Sequence, residues 1–263
     1  MWTNKFTSLA SSITQADPGA ALSPVDWIKQ KLGITPDDRQ AALLQAAGKR
    51  TILNCCRQWG KSTITAAKTV ELAYRKPGSL VIVVAPGARQ SHEFVLKAEA
   101  FLSRLKVKPK GDGQNPVSLA FPNGSRIVGL PAVESTIRGF SAVSLVVVDE
   151  ASRVPDDVYH AIRPMLAVSD GALWLISTPL GKRGFFHDTW ANGGPAWLRI
   201  QATGPECPRI SPAFLDEERR SMGARYFGQE YLCEFTDTRS GVFDPDLIAR
   251  AFRSDIQPLV FPL

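Results

Sequence analysis

Four short apolar runs, at residues 51–55, 80–85, 143–148 and 173–177, constrain this chain more than any other feature. Each is rich in Val, Ile and Leu, is bounded by turn-forming residues and lacks strict alternation of polar and apolar positions. A strand with one face in water alternates; a strand that is apolar throughout needs cover on both faces. The runs therefore predict an α/β fold in which a mostly parallel central sheet is flanked by helices. Hydrophobic residues make up 44% of the 263 and charged residues 21%. That balance excludes a disordered or collagenous chain and supplies enough apolar surface for a sizeable core.

Helical periodicity fills the gaps between the runs. After Lys61, the residues Ala66, Ala67, Val70, Ala73 and Tyr74 share one face, with Lys68, Glu71 and Arg75 away from it. Phe94, Ala98, Phe101 and Leu105 repeat the pattern, and a further helical stretch is read at 25–32. Residues 117–130 read as a hairpin turning at Asn123 and Gly124. The polar, Pro- and Gly-punctuated residues 1–24 are expected to form a mobile arm. From Thr203 the texture changes: three prolines precede a charged helical stretch, so 203–243 is expected to be a small lid or linker on a core of 25–202, and 244–263 the start of a further linker.

Cys55, Cys56, Cys207 and Cys233 form no CxxC pair, and His92, His160 and His187 supply no zinc-ligand spacing. Reduced thiols are the expectation. No apolar run approaches the roughly 18 residues of a membrane span, so no membrane partner is expected. The net charge of +6 permits a polyanionic partner without demanding one.

Chemistry concentrates at the ends of the runs. Cys55-Cys56-Arg57-Gln58-Trp59-Gly60-Lys61-Ser62 lies between a strand and a helix and matches the phosphate-loop pattern of a P-loop NTPase, except that Cys55 takes the first glycine's place. Backbone N–H groups at a helix start favour phosphate oxygens, a lysine there reaches the β- and γ-phosphates, and a serine hydroxyl can ligate Mg²⁺. The 145–148 run ends in Asp149 and Glu150. On a strand neighbouring the loop strand, Asp149 would hold Mg²⁺ while Glu150 activates the attacking water. Ser177 and Thr178 end the next run beside Asp149, where short hydroxyls can pass the nucleotide state to the residues after Pro179. Each piece alone is also compatible with ordinary strand-end punctuation; their combination is what points to ATP and Mg²⁺.

Lys106, Lys108 and Lys110, with Lys182 and Arg183, could touch a nucleic-acid backbone or be plain solvated charge. No aromatic interleaving marks a single-strand stacking platform.

With these motifs the sequence resembles the ATPase domain of large terminase subunits, the DNA-packaging motors of tailed bacteriophages, over roughly residues 40–243. The resemblance rests on CCRQWGKST, VVAP at 83–86, IRG at 137–139, LVVVDEAS and ISTPLGKRGFF. A phosphate loop with Arg and Gln ahead of GKS is common in that family. The resemblance implies that Gln40 contacts adenine, that residues Cys56, Arg57, Gln58, Trp59, Gly60, Lys61, Ser62 and Thr63 line the nucleotide, and that Arg57 senses the γ-phosphate. Ser62 and Asp149 would be the Mg²⁺ ligands, Glu150 the catalytic carboxylate, and Ser177 and Thr178 the coupling residues. Arg138 matches the arginine offered in trans to a neighbour's ATP, worth roughly 10³ to 10⁵ in rate.

The implied activity is Mg-ATP hydrolysis coupled to translocation of double-stranded DNA into a procapsid. The implied partners are DNA, the portal protein, the small terminase subunit and further copies of the chain in a homo-oligomeric ring, a pentamer by family resemblance, although an isolated domain could be a monomer. The implied setting is the infected host's cytoplasm and, transiently, the portal vertex, but not the mature virion. The family's nuclease carboxylates would fall beyond Leu263, so Asp237, Asp244, Asp246 and Asp255 are read as linker residues and nuclease activity is not expected. Two other readings remain open at this point: a helicase-type ATPase, and an assembly module that binds nucleotide with little turnover.

Overall fold

The computed structural model describes residues 22–46 and 48–236. Residues 1–21 of the arm expected over 1–24, residues 237–243 of the expected lid, the linker over 244–263 and the aspartates at 237, 244, 246 and 255 lie outside them.

Two helices, α1 (Pro24–Leu32) and α2 (Asp38–Leu44), precede strand β1 (Arg50–Cys55) and helix α3 (Lys61–Arg75). Then come β2 (Leu80–Ala85), α4 (Ala88–Arg104), β3 (Ser118–Ala120), β4 (Arg126–Pro131), the short α5 (Glu134–Ile137) and β5 (Leu145–Asp149). A 3-10 turn (Ala151–Arg153) leads to α6 (Asp156–Ile162), β6 (Ala172–Ser177), α7 (Gly184–Asn192), β7 (Leu198–Ala202) and α8 (Pro212–Tyr231). The seven strands form one sheet in the order β3-β4-β2-β5-β6-β1-β7. Only the β3–β4 hairpin is antiparallel. It turns through Gly124 in the left-handed region, as its Asn-Gly pair predicts.

Successive strand residues feed opposite faces, which is why the runs read as continuously apolar. Leu53, Val81, Val83, Val147, Trp174 and Ile176 pack toward α1–α4, while Ile52, Ile82, Val84, Val146, Val148 and Leu175 pack toward α6 and α7. Two sequence expectations need correction. β6 lies between β1 and β5, so the acidic strand is not the neighbour of the loop strand. Glu71 is buried, not outward-facing, because Lys68 and Arg75 clamp its two oxygens at 2.8 Å each. Strand β7 escaped the sequence reading because Arg199 and Gln201 interrupt its apolar residues; it is a half-exposed edge strand beside β1.

The connection from α4 to β3 is organised by Asp112. Its carboxylate accepts the N–H groups of Gln114 and Asn115 at 2.9 and 2.8 Å, the Asn115 amide at 2.8 Å and the Ser118 hydroxyl at 3.0 Å. Burial pushes this carboxyl up, but the donors outweigh it and hold it at about 2, against about 3.9 for an unfolded aspartate. Because the folded value is the lower one, the stabilisation is full above about pH 4 and is lost as pH falls toward about 2. Asp112→Ala should lower the unfolding free energy by about 1–3 kcal/mol at pH 7. Denaturant melts should show the gap to wild type narrowing across that window; a gap indifferent to pH would contradict this role.

Candidate active site

The carboxyl ends of β1, β2, β5 and β6 open onto one cavity of about 510 Å³, lined by Arg57, Gln58, Gly60 to Thr63, Pro86, Gln90, Lys97, Glu150, Arg153, Thr178 and Glu230. The register keeps the tips level: Asp149 pairs with Ile176 on β6, and Ser177 pairs with Asn54 on β1.

Cys55 ends β1 with its side chain fully buried and without a positive φ. The backbone there does not call on glycine's freedom, so the cysteine is tolerated. The left-handed residues come later, at Gln58 (φ 59°) and Gly60 (φ 92°). Gly60 caps α3, and a Cβ there would stand 3.3 Å from the Gln40 amide nitrogen. The N–H groups of Lys61 and Ser62 open the helix without intrahelical partners and are available to an anion.

Lys61 Nζ lies 3.0 Å from Glu150 Oε1, and Ser62 Oγ donates to Asp149 Oδ2 at 3.0 Å. Arg153 Nη1 takes the second Glu150 oxygen, also at 3.0 Å. Burial raises the Asp149 carboxyl, reinforced by the neighbouring Glu150 charge and opposed by Lys61 and the Ser62 hydroxyl. Burial opposes the Lys61 charge, yet the Glu150 carboxylate, through its charge and its hydrogen bond, and Asp149 outweigh it, and the ammonium sits above its ordinary value. A cation therefore brings two advantages at this spot: it would relieve a desolvated carboxylate, and it would find a hydroxyl and a carboxylate oxygen already side by side. That pair suits Mg²⁺, which needs few protein ligands when phosphates and waters supply the rest. Among the described residues no cluster of three or more His, Cys, Asp or Glu could form a fuller metal cage.

Ser177 and Thr178, the expected coupling residues, stand at the end of β6, the strand paired with β5. Ser177 Oγ lies 2.8 Å from Ser152 Oγ, and Ser152 also donates to the Thr178 carbonyl at 2.8 Å. The 3-10 turn after Glu150 is thus tied to the end of β6.

Not every expected residue lines the cavity. Gln40 is buried behind the loop, its amide donating to the Trp59 carbonyl at 3.2 Å and its oxygen accepting the Asp37 N–H; it does not line the cavity. Cys56 is buried and gives its N–H to Ala202, so it offers the cavity neither side chain nor donor. Trp59 is buried with its indole in the core and can contribute backbone alone. Arg57 lines the cavity but leans toward Glu230, 3.7 Å away, while its N–H bonds the Glu230 carbonyl. Arg138 stands outside the cavity, 72% exposed, its Nε 3.0 Å from Glu134. Lys106, Lys108 and Lys110 are exposed.

Sequence reasoning missed Arg153, Lys97 and Arg209. Lys97 reads as solvated helix charge, and only the fold turns it toward the cavity. Arg209 follows three loop residues and a proline, with no periodicity to flag it, yet it donates to Trp59 O at 2.6 Å and pairs with Asp37 at 2.7 Å. The cysteines are all free and buried; burial pushes the Cys56 thiol up to about 12, which keeps it protonated and inert.

A phosphate loop opening a helix, with a carboxylate pair brought to it across a parallel sheet, defines a P-loop nucleotide-binding α/β protein. Residues 52–250 match the family model described as terminase large subunit, T4likevirus-type, N-terminal, and the chain belongs to that family. The large terminase subunit of Escherichia phage T5 is 27% identical over 232 residues, covering 84% of this chain and 52% of that protein; its counterpart from Thermus phage G20c is 28% identical over 258 residues, covering 84% and 53%. The chain thus spans about half the length of these relatives. Among solved structures, the large terminase ATPase domain of Thermus phage P74-26 superposes with a TM-score of 0.72 at 24% identity, over 82% of this chain and 100% of that one. The expected fold is thereby borne out.

Two donors hold the Trp59 carbonyl and so the loop's left-handed turn. Replacing the charged one, in Arg209→Ala, should weaken ADP binding by about three- to tenfold, the loss of one charge-assisted hydrogen bond discounted for its partial exposure. Calorimetric titration reads this directly; an unchanged Kd would show that the loop holds its shape without Arg209.

Proposed function

We propose that this chain hydrolyses Mg-ATP and couples the reaction to movement of double-stranded DNA, as the motor part of a phage packaging terminase. The observation that carries this reading is the meeting of Lys61 with Glu150 and of Ser62 with Asp149 on the strand tips, where Lys61, Ser62 and Glu150 line one open cavity. Family membership supports it. The DNA, the portal protein, the small terminase subunit and the ring of copies belong to the proposal, as do the residues 203–243 acting as a lid or linker, the host cytoplasm and the portal vertex.

The phosphates of ATP enter against the N–H groups of the loop and the first turn of α3. Lys61 exchanges the Glu150 carboxylate for phosphate oxygens. Ser62 and Asp149 would hold Mg²⁺, which when bound neutralises charge on the β- and γ-phosphates. Glu150, freed from Lys61, accepts a proton from the water whose oxygen bonds the γ-phosphorus as the bond to ADP breaks. The proton passes from Glu150 to solvent, and ADP and phosphate leave. Arg57, at the cavity's edge and largely exposed, can turn from Glu230 to the γ-phosphate. Arg138 lies outside the cavity lining and is exposed, which would let it serve a neighbouring subunit, where its fixed charge would meet charge developing in the transition state. Ser152 links the carboxylate turn to Ser177 and Thr178, so a change at the γ-phosphate has a short route to residues 179–183.

Removing Lys61 should be severe. Lys61→Ala is expected to lower ATP turnover by roughly 10²- to 10³-fold, and Glu150→Gln to abolish turnover while nucleotide still binds. Both are read by phosphate release. Unchanged turnover in Lys61→Ala would overturn the loop assignment, and equal, negligible turnover in wild type and Glu150→Gln would favour an assembly module.

The trans role of Arg138 predicts complementation. Arg138→Ala should lose activity only under conditions that assemble subunits, and mixing it with Glu150→Gln should restore activity at mixed interfaces. Absence of recovery at every mixing ratio would count against the role.

A further inference from the structure

Glu150 is held from both sides. Oε1 meets Lys61 and Oε2 meets Arg153, each at 3.0 Å, so each oxygen already faces a cation. The two cations are not equivalent. Lys61 belongs to the phosphate loop and leaves Glu150 when a triphosphate arrives, whereas Arg153 belongs to the same turn as Glu150 and travels with it.

The local backbone explains the second contact. Glu150 adopts φ 53° and ψ 43°, a left-handed conformation unusual outside glycine, and ends β5 abruptly. The 3-10 turn after it is closed by the Arg153 N–H on the Glu150 carbonyl at 2.9 Å. That bond keeps the two residues together, and the Arg153 guanidinium meets the Glu150 carboxylate across the turn. The turn is also fixed from outside: Ala151 is fully buried, and Ser152 bonds Ser177 and Thr178.

We infer that Arg153 is a positioning residue for Glu150: it fixes one carboxylate oxygen and so orients the other, vacated by Lys61, toward the attacking water. The inference rests on the proposed hydrolytic role of Glu150 and goes beyond it. A rigid, bidentate-capable guanidinium suits this task better than an ammonium. Because Ser152 sits between Glu150 and Arg153 in the same turn and is bonded to the end of β6, displacement of Thr178 would move the Arg153 clamp as well. The base would then be aligned only in one state of that strand end.

The test is steady-state hydrolysis together with ADP binding measured without turnover, on wild type and the variants named here. Arg153→Ala should lower kcat by roughly ten- to hundredfold, the scale on which a misplaced catalytic group costs rate, with KM and the ADP Kd within about twofold of wild type. Arg153→Lys should recover part of that loss. In the Glu150→Gln background, adding Arg153→Ala should cause no further fall in residual turnover, since the residue acts through Glu150. Unchanged kcat in Arg153→Ala, while Glu150→Gln is inactive, would overturn the inference and leave the hydrolytic reading standing. A fall that adds fully to that of Glu150→Gln, or a loss confined to KM, would also overturn it, the latter by placing Arg153 on the nucleotide. If Glu150→Gln hydrolyses like wild type, the reading of Glu150 itself fails.

Discussion

Two contacts cross from the first turn of α3 to the tip of a strand two places away: Lys61 to Glu150 and Ser62 to Asp149, both 3.0 Å. Strand β6 lies between the loop strand and the acidic strand, so a loop that ended with β1 alone could not reach the carboxylates. The loop's left-handed residues, Gln58 and Gly60, turn the chain so that α3 starts over the neighbouring strand tips. The surrounding features serve that placement. Gln40 and Arg209 hold the Trp59 carbonyl from behind, and the Trp59 indole is anchored in the core.

The charged groups of the site are paired with one another. Glu150 is shared by Lys61 and Arg153, Asp149 is bonded by Ser62, and Arg57 leans on Glu230. Half-buried ion pairs are poor sources of stability because desolvation opposes the attraction. Their value here is that each cation can change partners at small net cost when a polyanion enters. On the proposed mechanism, triphosphate binding is an exchange of partners among fixed groups, and the freed carboxylate is the product of that exchange. The tie from Ser152 to Ser177 and Thr178 makes the same turn part of the wall of β6, so chemistry and the segment after β6 share a mechanical element.

Much of this was legible in the residues. The four apolar runs are sheet-buried strands because both faces are covered, and GKS and Asp149-Glu150 stand at strand ends because the chain needs to leave the sheet there. The features that escaped are those that depend on long-range packing. Spacing cannot reveal that β6 inserts between β1 and β5, since strand order is set by crossovers. Glu71 looks solvent-facing in the helical pattern, and only Lys68 and Arg75 closing over it make burial tolerable. Gln40, an adenine contact by resemblance, is buried behind the loop, where its side chain closes a capping box with Asp37 and bonds the Trp59 carbonyl. Arg153 was within reach of a sequence argument, three residues after Glu150, but its meaning depends on the backbone turning left-handed at that glutamate.

The most direct measurement of the central claim is a crystal structure of the chain with Mg²⁺ and a non-hydrolysable ATP analogue. The account predicts the β- and γ-phosphates on the Lys61 ammonium and the α3 N–H groups, the Lys61–Glu150 pair broken, and Glu150 still held by Arg153. A nucleotide seated away from the strand tips, or one bound there with Lys61 and Glu150 still joined, would contradict it.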